Sequence, residues 1–242
     1  MEFLRQFDTL NQYESTKGDF EYPTLSLVDE NGLVYLMEKS LYEWVDLGLP
    51  SGLKWASCNV GASAPEDFGL YFAWGETQGY SGITSEKRFS TSDYKLCNGS
   101  SQSLTKYNNN SYYGTVDNLT TLELVDDAAY VSDNTCRMPT REDCQELIDN
   151  TTSTWEKLNG IKGRRFTSKT NGNSIFVPAA GLCLGGNVDG VGSRCDLWSN
   201  FLYYSPSNPI PWNSATLYFN SDYASVTAIA REAGVSIRAV KE

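Results

Sequence analysis

Histidine, excess basic charge and long apolar runs are all missing from this sequence of 242 residues. The absence of histidine excludes Ser-His and Cys-His nucleophile systems and every zinc site that needs an imidazole ligand. Lys and Arg number 19 against 30 Asp and Glu, for a formal net charge of -11. Such a surface repels phosphate backbones and anionic headgroups, so we expect no nucleic-acid partner. No apolar run approaches the ~18 residues that span a bilayer, so we expect no membrane insertion.

Cysteine is sparse, and no signal peptide is evident. The six cysteines are too few for a disulfide scaffold and none forms a Cys-x-x-Cys pair, so we interpret them as small buried apolar side chains. One or two disulfides remain open if the protein is exported. The first 15 residues lack a basic n-region, which indicates either a chain kept in the cytoplasm or one whose signal was removed.

Residues 1–42 form a separate small segment in the sequence pattern. Phe3, Phe7 and Leu10 are spaced by four and three residues, which predicts a short helix over residues 2–15. Residues 22–28 and 33–38 are β-type runs on either side of a turn at 29–32. Because this stretch is too short to hold a large core, we expect it to serve in docking or oligomerisation.

The remaining chain, 43–242, shows one clear helix among many short strands and long loops. Thr140 is a good N-cap, and Cys144, Leu147 and Ile148 then fall on one face of a helix. Asn171-Gly172 separates two β-type runs, a strong hairpin signal. Further strands are predicted at 215–220, 224–228 and 235–240, and residues 78–120 resemble long surface loops. The pattern is that of the α+β class.

Several strings of residues resemble a known family. They include Trp-Val-Asp-Leu-Gly-Leu-Pro-Ser-Gly at 44–52, Tyr-Phe-Ala-Trp-Gly-Glu-Thr at 71–77, Arg-Met-Pro-Thr at 137–140 and Gly-Val-Ser-Ile-Arg-Ala-Val at 234–240. Together they resemble the Fibrobacter succinogenes major paralogous domain, which is abundant in gut Bacteroidetes and their phages. The resemblance covers about residues 44–242. It departs from the family at Leu197-Trp198-Ser199-Asn200 and at Arg231-Glu232-Ala233-Gly234.

The resemblance implies a C-type-lectin-like fold related to formylglycine-generating enzymes. Several family members are variable proteins of diversity-generating retroelements, whose C-terminal stretch is rewritten at adenines of the coding sequence. Their fold holds the rewritten positions on one exposed face that binds ligand. The segment 1–42 is similar to leaders of phage virion proteins, which implies a virion, such as a phage tail, or a cell surface as the location.

The C-terminal stretch has the composition of an antibody paratope. Between 198 and 225, 16 of 28 residues are Trp, Tyr, Ser or Asn, and Asp222 is the only charge from 198 to 230. Alternation along 215–220 places Leu217 and Phe219 on one face and Tyr218 and Asn220 on the other. We therefore expect a ligand-binding surface within 198–233 that is formed by Asn200, Phe201, Tyr203, Tyr204, Trp212, Asn213, Tyr218, Asn220, Asp222 and Tyr223.

Other candidate sites are weaker. The Gly-rich stretch 185–192 lacks the ending of a phosphate loop and offers only Asp189 to calcium. In Trp212-Asn213-Ser214 a serine replaces the carboxylate of a lectin calcium motif. Glu66, Asp67 and Glu76 are interpreted as turn and network residues, and the surroundings of Cys183 and Cys195 do not match a catalytic motif. We therefore expect no catalytic residue, no metal and no cofactor.

These patterns favour a non-enzymatic recognition protein whose ligand is a protein or a glycan on a cell surface. We expect a homo-oligomer, or a virion partner bound through residues 1–42. Two alternatives stay open: a structural virion or fimbrial subunit, and an enzyme on the fold of formylglycine-generating enzymes, which would rest on analogy of fold alone.

Overall fold

The computed structural model describes residues 42–203 and 211–242 in full, and the backbone of three strands before them. The chain divides into two compact units, Met1–Tyr42 and Glu43–Glu242. No helix in the described part is long and apolar enough to cross a membrane.

The first unit contains a three-stranded antiparallel sheet. Its strands are β1 (Leu4–Phe7), β2 (Thr24–Val28) and β3 (Val34–Glu38), in the order β1-β3-β2. The two predicted β runs are confirmed. The predicted helix is wrong over Leu4–Phe7, because this segment pairs along its whole length with β3 and the ladder outweighs the weak helical spacing. The rest of that predicted helix and the 29–32 turn lie outside the described residues.

The second unit is built from short strands and two helices. The strands are β4 (Trp44–Asp46), β5 (Lys54–Ala56), β6 (Thr151–Leu158), β7 (Ile161–Ser168), β8 (Ser174–Pro178), β9 (Leu182–Leu184), β10 (Asn187–Asp189), β11 (Arg194–Leu202), β12 (Asn213–Asn220), β13 (Ala224–Ala230) and β14 (Val240–Lys241). The helices are α1 (Ala128–Ser132) and α2 (Arg141–Asn150), and single 3-10 turns occur at Ser111–Tyr113 and Leu124–Asp126.

The strands form small antiparallel sheets rather than one large one. Their orders are β14-β5-β4, β6-β7-β8, β10-β9 and β11-β12-β13. The structure is mostly β, with 37% strand against 11% helix, and its described residues contain two helices rather than one. The predicted α+β, C-type-lectin-like class is therefore wrong. The physical reason is that most strands pair with their neighbours in sequence as hairpins, while the helices are too short to form a layer of their own.

Helix α2 confirms the predicted start signal. The Thr140 hydroxyl accepts a hydrogen bond from the Asp143 N–H, and the Asp143 carboxylate accepts one from the Thr140 N–H, so that a complete capping box is present. Cys144 and Leu147 are buried on the face that packs against the core. The helix contacts β12 and β13, which carry the candidate site.

The predicted hairpin around Asn171-Gly172 is confirmed, with Thr167 paired to Ser174. The predicted strands at 215–220 and 224–228 are also confirmed as β12 and β13. The predicted strand at 235–240 is largely wrong, since only Val240 lies in a strand. The reason is that residues 231–240 are all buried and bond one after another to different parts of the chain, including Phe72, Cys183 and Trp198, so that no continuous ladder forms.

The core of the second unit contains large side chains from several elements. Trp55, Trp74, Leu147, Phe176, Leu217 and Phe219 are all buried. All six cysteines are buried and free, in agreement with their interpretation as apolar side chains. Residues 78–120 are irregular, but the expectation that they lie on the surface is wrong for Phe89 and Tyr107. Both are fully buried because the loops fold back over the domain.

Candidate functional site

The sheet β11-β12-β13 separates an apolar face from a polar, aromatic one. Leu217 and Phe219 of β12 belong to the hydrophobic core, and Phe219 meets Phe166 edge to face at 6.0 Å. Tyr218 points the other way, as the alternation of a strand requires. The register places it between Asp196 of β11 and Ser225 of β13. The core therefore fixes the backbone from which the opposite face is presented.

Four predicted residues meet at the β12–β13 turn: Tyr218, Asn220, Asp222 and Tyr223, which we call the tip cluster. The Tyr218 and Tyr223 rings lie 5.6 Å apart, tilted by 48°. The Asn220 Oδ1 accepts hydrogen bonds from the Asp222 N–H at 2.8 Å and the Tyr223 N–H at 3.0 Å, and its Nδ2 donates to the Tyr218 hydroxyl at 3.2 Å. Asp222 is exposed and Tyr223 is 52% exposed. The turn thus holds two aromatic rings, an amide and a carboxylate in one place.

An ion pair that the sequence reading missed supports the tip cluster. The Arg194 guanidinium lies 5.0 Å from the centre of the Tyr218 ring and donates to the Asp196 carboxylate from Nη2 at 2.6 Å and Nε at 3.2 Å. The Thr216 hydroxyl donates to the other oxygen of Asp196. Burial raises the pKa of Asp196 although Arg194 opposes the shift. The Asp196 carboxylate is almost fully buried, and its ion pair holds the Arg194 guanidinium against the Tyr218 ring.

Arg164 of β7 anchors the same turn. Its Nη2 and Nε donate to the Asn220 carbonyl at 2.9 and 3.2 Å, and its Nη1 donates to the Ser153 hydroxyl. Burial lowers the pKa of Arg164, although the nearby Asp222 carboxylate opposes the shift. Arg164 comes from a distant part of the sequence. Arg194 and Asp196 carry a weak local signal, since two charges at i and i+2 on a strand share a face.

The other predicted residues lie at the opposite end of the sheet. Phe201, Tyr203, Trp212 and Asn213, which we call the base cluster, are all half-buried. Trp212 meets Tyr94 edge to face at 6.1 Å, and the Arg141 guanidinium lies 5.9 Å from the Tyr203 ring. At about 3.3 Å per strand residue, the two clusters are separated by roughly 20 Å. The structure therefore brings the predicted residues together in two groups, not in one.

Two predicted residues belong to neither cluster. Tyr204 lies outside the described residues. Asn200 is buried, its N–H donates to the Pro139 carbonyl and its carbonyl accepts from the Leu122 N–H. Its backbone ties β11 to the segments beside it, so the structure places Asn200 inside the domain and not on the surface.

Two charged residues beside the base cluster, Arg231 and Glu232, were not predicted as site residues. Arg231 is fully buried and donates to the Tyr94 hydroxyl and to the carbonyls of Lys106, Tyr107 and Pro211. Burial raises the pKa of Glu232, while a hydrogen bond from Trp212 opposes the shift. One carboxyl oxygen of Glu232 is buried without a partner in the described residues. We interpret Arg231 as a structural residue, because its hydrogen bonds connect the segments that contain Tyr94, Lys106 and Pro211.

The weaker candidates have structural roles. Glu76 is buried and accepts two hydrogen bonds of 2.8 Å from the Lys87 ammonium, and Asp67 accepts from the Ala64 N–H, so their interpretation as network and turn residues is confirmed. Burial raises the pKa of Cys183 to about 11 and that of Cys195 to about 12, which keeps both thiols protonated. Residues 185–192 form the β9–β10 turn and its surroundings. The described residues contain no group of three or more Cys, Asp or Glu side chains placed to hold a metal ion.

Comparison of the chain with protein-family models, curated proteins and solved structures returns no match in any of the three.

Proposed function

We propose that the chain is a non-enzymatic recognition protein that binds a protein or glycan on a cell surface through the tip cluster and the sheet face beside it. The observation that carries the proposal is the contact between the exposed Tyr223 ring and the half-buried Tyr218 ring, at the end of a sheet whose other face is core. Tyrosine offers a large amphipathic contact area at a low cost in side-chain entropy. Residues of this type dominate the binding energy of known interfaces.

The polar side chains around the rings support the same proposal. Asn220 and Asp222 provide hydrogen-bonding groups at the turn, while Arg194 holds Tyr218 in one orientation. A ring that is already fixed loses less entropy when a ligand binds. In this proposal the base cluster is a second contact area, and residues 1–42 attach the protein to a virion, or to further copies of itself, at a phage tail or a bacterial surface.

The resemblance of the sequence strings adds a proposal about origin: the gene is a target of a diversity-generating retroelement. A neighbouring reverse transcriptase and a near-copy of the gene's 3′ end that differs only at adenines would support it. A genomic neighbourhood without both would contradict it and would leave the binding proposal to stand on geometry.

A matched set of variants tests the binding proposal. The wild-type protein is applied to a glycan array and to an array of extracellular proteins, and its strongest ligand is titrated against Tyr218→Ala/Tyr223→Ala. We expect affinity to fall roughly 30-fold or more, the effect of losing a hot spot. Tyr112→Ala is the control, because Tyr112 is 63% exposed and lies far from the sheet in sequence. Equal losses in both variants, or none in the double variant with an unchanged melting temperature, would contradict the proposal.

A further inference from the structure

Apart from the Ala230 carbonyl, which accepts a hydrogen bond from the Ala233 N–H at 3.0 Å, the outer edge of β13 has no backbone partner in the described part of the chain. The Arg231 N–H donates to the Trp212 carbonyl and the Asn220 N–H to the Tyr223 carbonyl, which fixes the phase of the β12–β13 ladder. Hydrogen-bonded pairs alternate along an antiparallel ladder, so residues 225, 227 and 229 bond to β12. The N–H and C=O groups of Ala224, Val226 and Ala228 therefore point away from β12, outward from the open edge of the sheet.

This edge lacks the features that usually prevent strands from pairing between molecules. Soluble proteins protect edge strands with lysine, proline or bulges. β13 has the sequence Ala-Ser-Val-Thr-Ala-Ile-Ala, without charge or proline, and it pairs with β12 through an unbroken register. All seven residues are half-exposed. In a protein of net charge -11, a strand without charged side chains adds no like-charged pair of its own to a contact between two copies.

We propose that two copies of this chain pair antiparallel through β13, about a two-fold axis at Thr227. An isologous contact needs a strand that is complementary to itself. In this register Ala224 faces Ala230, Ser225 faces Ile229 and Val226 faces Ala228 of the other copy, so every opposed pair is small or aliphatic. The outward-pointing groups of 224, 226 and 228, and the N–H of 230, then become the hydrogen-bonding groups of the new ladder, since the Ala230 carbonyl is already bonded to the Ala233 N–H.

The pairing joins two three-stranded sheets into one of six strands. Ser225, Thr227 and Ile229 lie on the same side of the sheet as Tyr218, so the tip clusters of both copies are displayed on one side. The dimer itself does not depend on the proposed recognition function. If that function holds, the pairing makes the site bivalent and strengthens binding to a repeated ligand.

Cysteine cross-linking on the full chain tests the register. At a two-fold axis Thr227 forms a non-hydrogen-bonded pair with its own copy, at a Cα separation of about 4.5 Å, which suits a disulfide. We expect Thr227→Cys to form a covalent dimer under mild oxidation at least roughly ten times faster than Ser225→Cys. In Ser225→Cys the two introduced residues are four positions out of register, about 13 Å apart. The six native cysteines are buried and provide a low background.

A backbone variant tests the contact without an introduced thiol. Ala228→Pro removes an outward N–H and leaves the bonds of β13 to β12 intact. Losing one hydrogen bond per copy should weaken the wild-type dimer roughly tenfold in analytical ultracentrifugation, whereas Ala228→Ser should not. An unchanged far-ultraviolet spectrum shows that the variant is folded. Three results would overturn the proposal: a wild-type chain that is monomeric at all concentrations, a dimer that Ala228→Pro leaves unchanged, or equal cross-linking at 225 and 227. If a monomer instead binds a strand of a foreign protein at this edge, that interaction replaces the proposed dimer.

Discussion

At the scale of single residues, the two faces of β12 set which substitutions affect folding. Leu217 is fully buried among core side chains, whereas Ser225 lies half-exposed on the face of Tyr218. Leu217→Ala should lower the free energy of unfolding by about 2–5 kcal/mol, since it leaves a cavity in a packed core. Ser225→Ala should change it by no more than about 0.5 kcal/mol. Urea denaturation of both variants provides the comparison, and similar losses would mean that the faces are assigned in reverse.

Glu232 makes a prediction about pH. Its pKa is raised by burial, so the folded protein holds this proton more tightly than the unfolded chain does. Stability from this group is present below its unfolded pKa and is lost as pH rises through the raised folded value. Glu232→Gln should therefore gain stability relative to wild type between about pH 4 and about pH 7. Urea denaturation at both pH values measures the gain, and the exposed Glu86→Gln serves as the control, for which a similar gain would contradict the assignment.

At the scale of elements, α2 depends on its capping box. Thr140→Ala removes the hydroxyl that accepts from the Asp143 N–H, and we expect the domain to lose about 1 kcal/mol of stability. Thr140→Ser keeps the acceptor and should stay close to wild type. Thermal denaturation followed by circular dichroism separates the two. If both variants melt together at the lower temperature, packing of the threonine methyl and not the cap is responsible.

Local sequence patterns predicted some elements correctly and others not. The α2 helix, the Asn171-Gly172 hairpin and the β12–β13 pair were predictable because the residues that specify each of them lie close together in the sequence. The segment 235–240 was not, because each residue bonds to a different distant part of the chain. Two-residue alternation correctly separated Tyr218 from Leu217. No local signal reveals that Arg164, more than 50 residues away, holds the Asn220 carbonyl.

The error in fold class has a similar origin. The strings that resemble a known family lie mostly outside the helices and strands, and such strings do not set the balance between strand and helix. That balance depends on how many short runs find partners. In this chain nearly all of the second unit's strands do so in hairpins or between neighbouring segments.

At the scale of the whole molecule, the division into two units makes a prediction. Met1–Tyr42 and Glu43–Glu242 are separately compact, so deleting residues 1–42 should leave the melting temperature of the second unit unchanged. We also expect the deletion to reduce the number of protomers per assembly, because this small unit is proposed to attach one copy to others. Light scattering on the full and truncated chains measures this number, and an identical value for both would contradict the role of the first unit in assembly.

The buried segment 231–240 has a consequence for the order in which the protein folds. Its backbone bonds to Ala56, Val60, Phe72 and Trp74 in the early part of the second unit's sequence, and to Cys183 and Trp198 in the later part. Arg238 adds a bond to the Ala56 carbonyl across 182 residues of sequence. Contacts of such long range slow folding, because the closure of large loops precedes any gain from them. We therefore expect a nascent chain that still lacks residues 231–240 to have an incomplete interior, and the domain to complete its core only after this segment has left the ribosome.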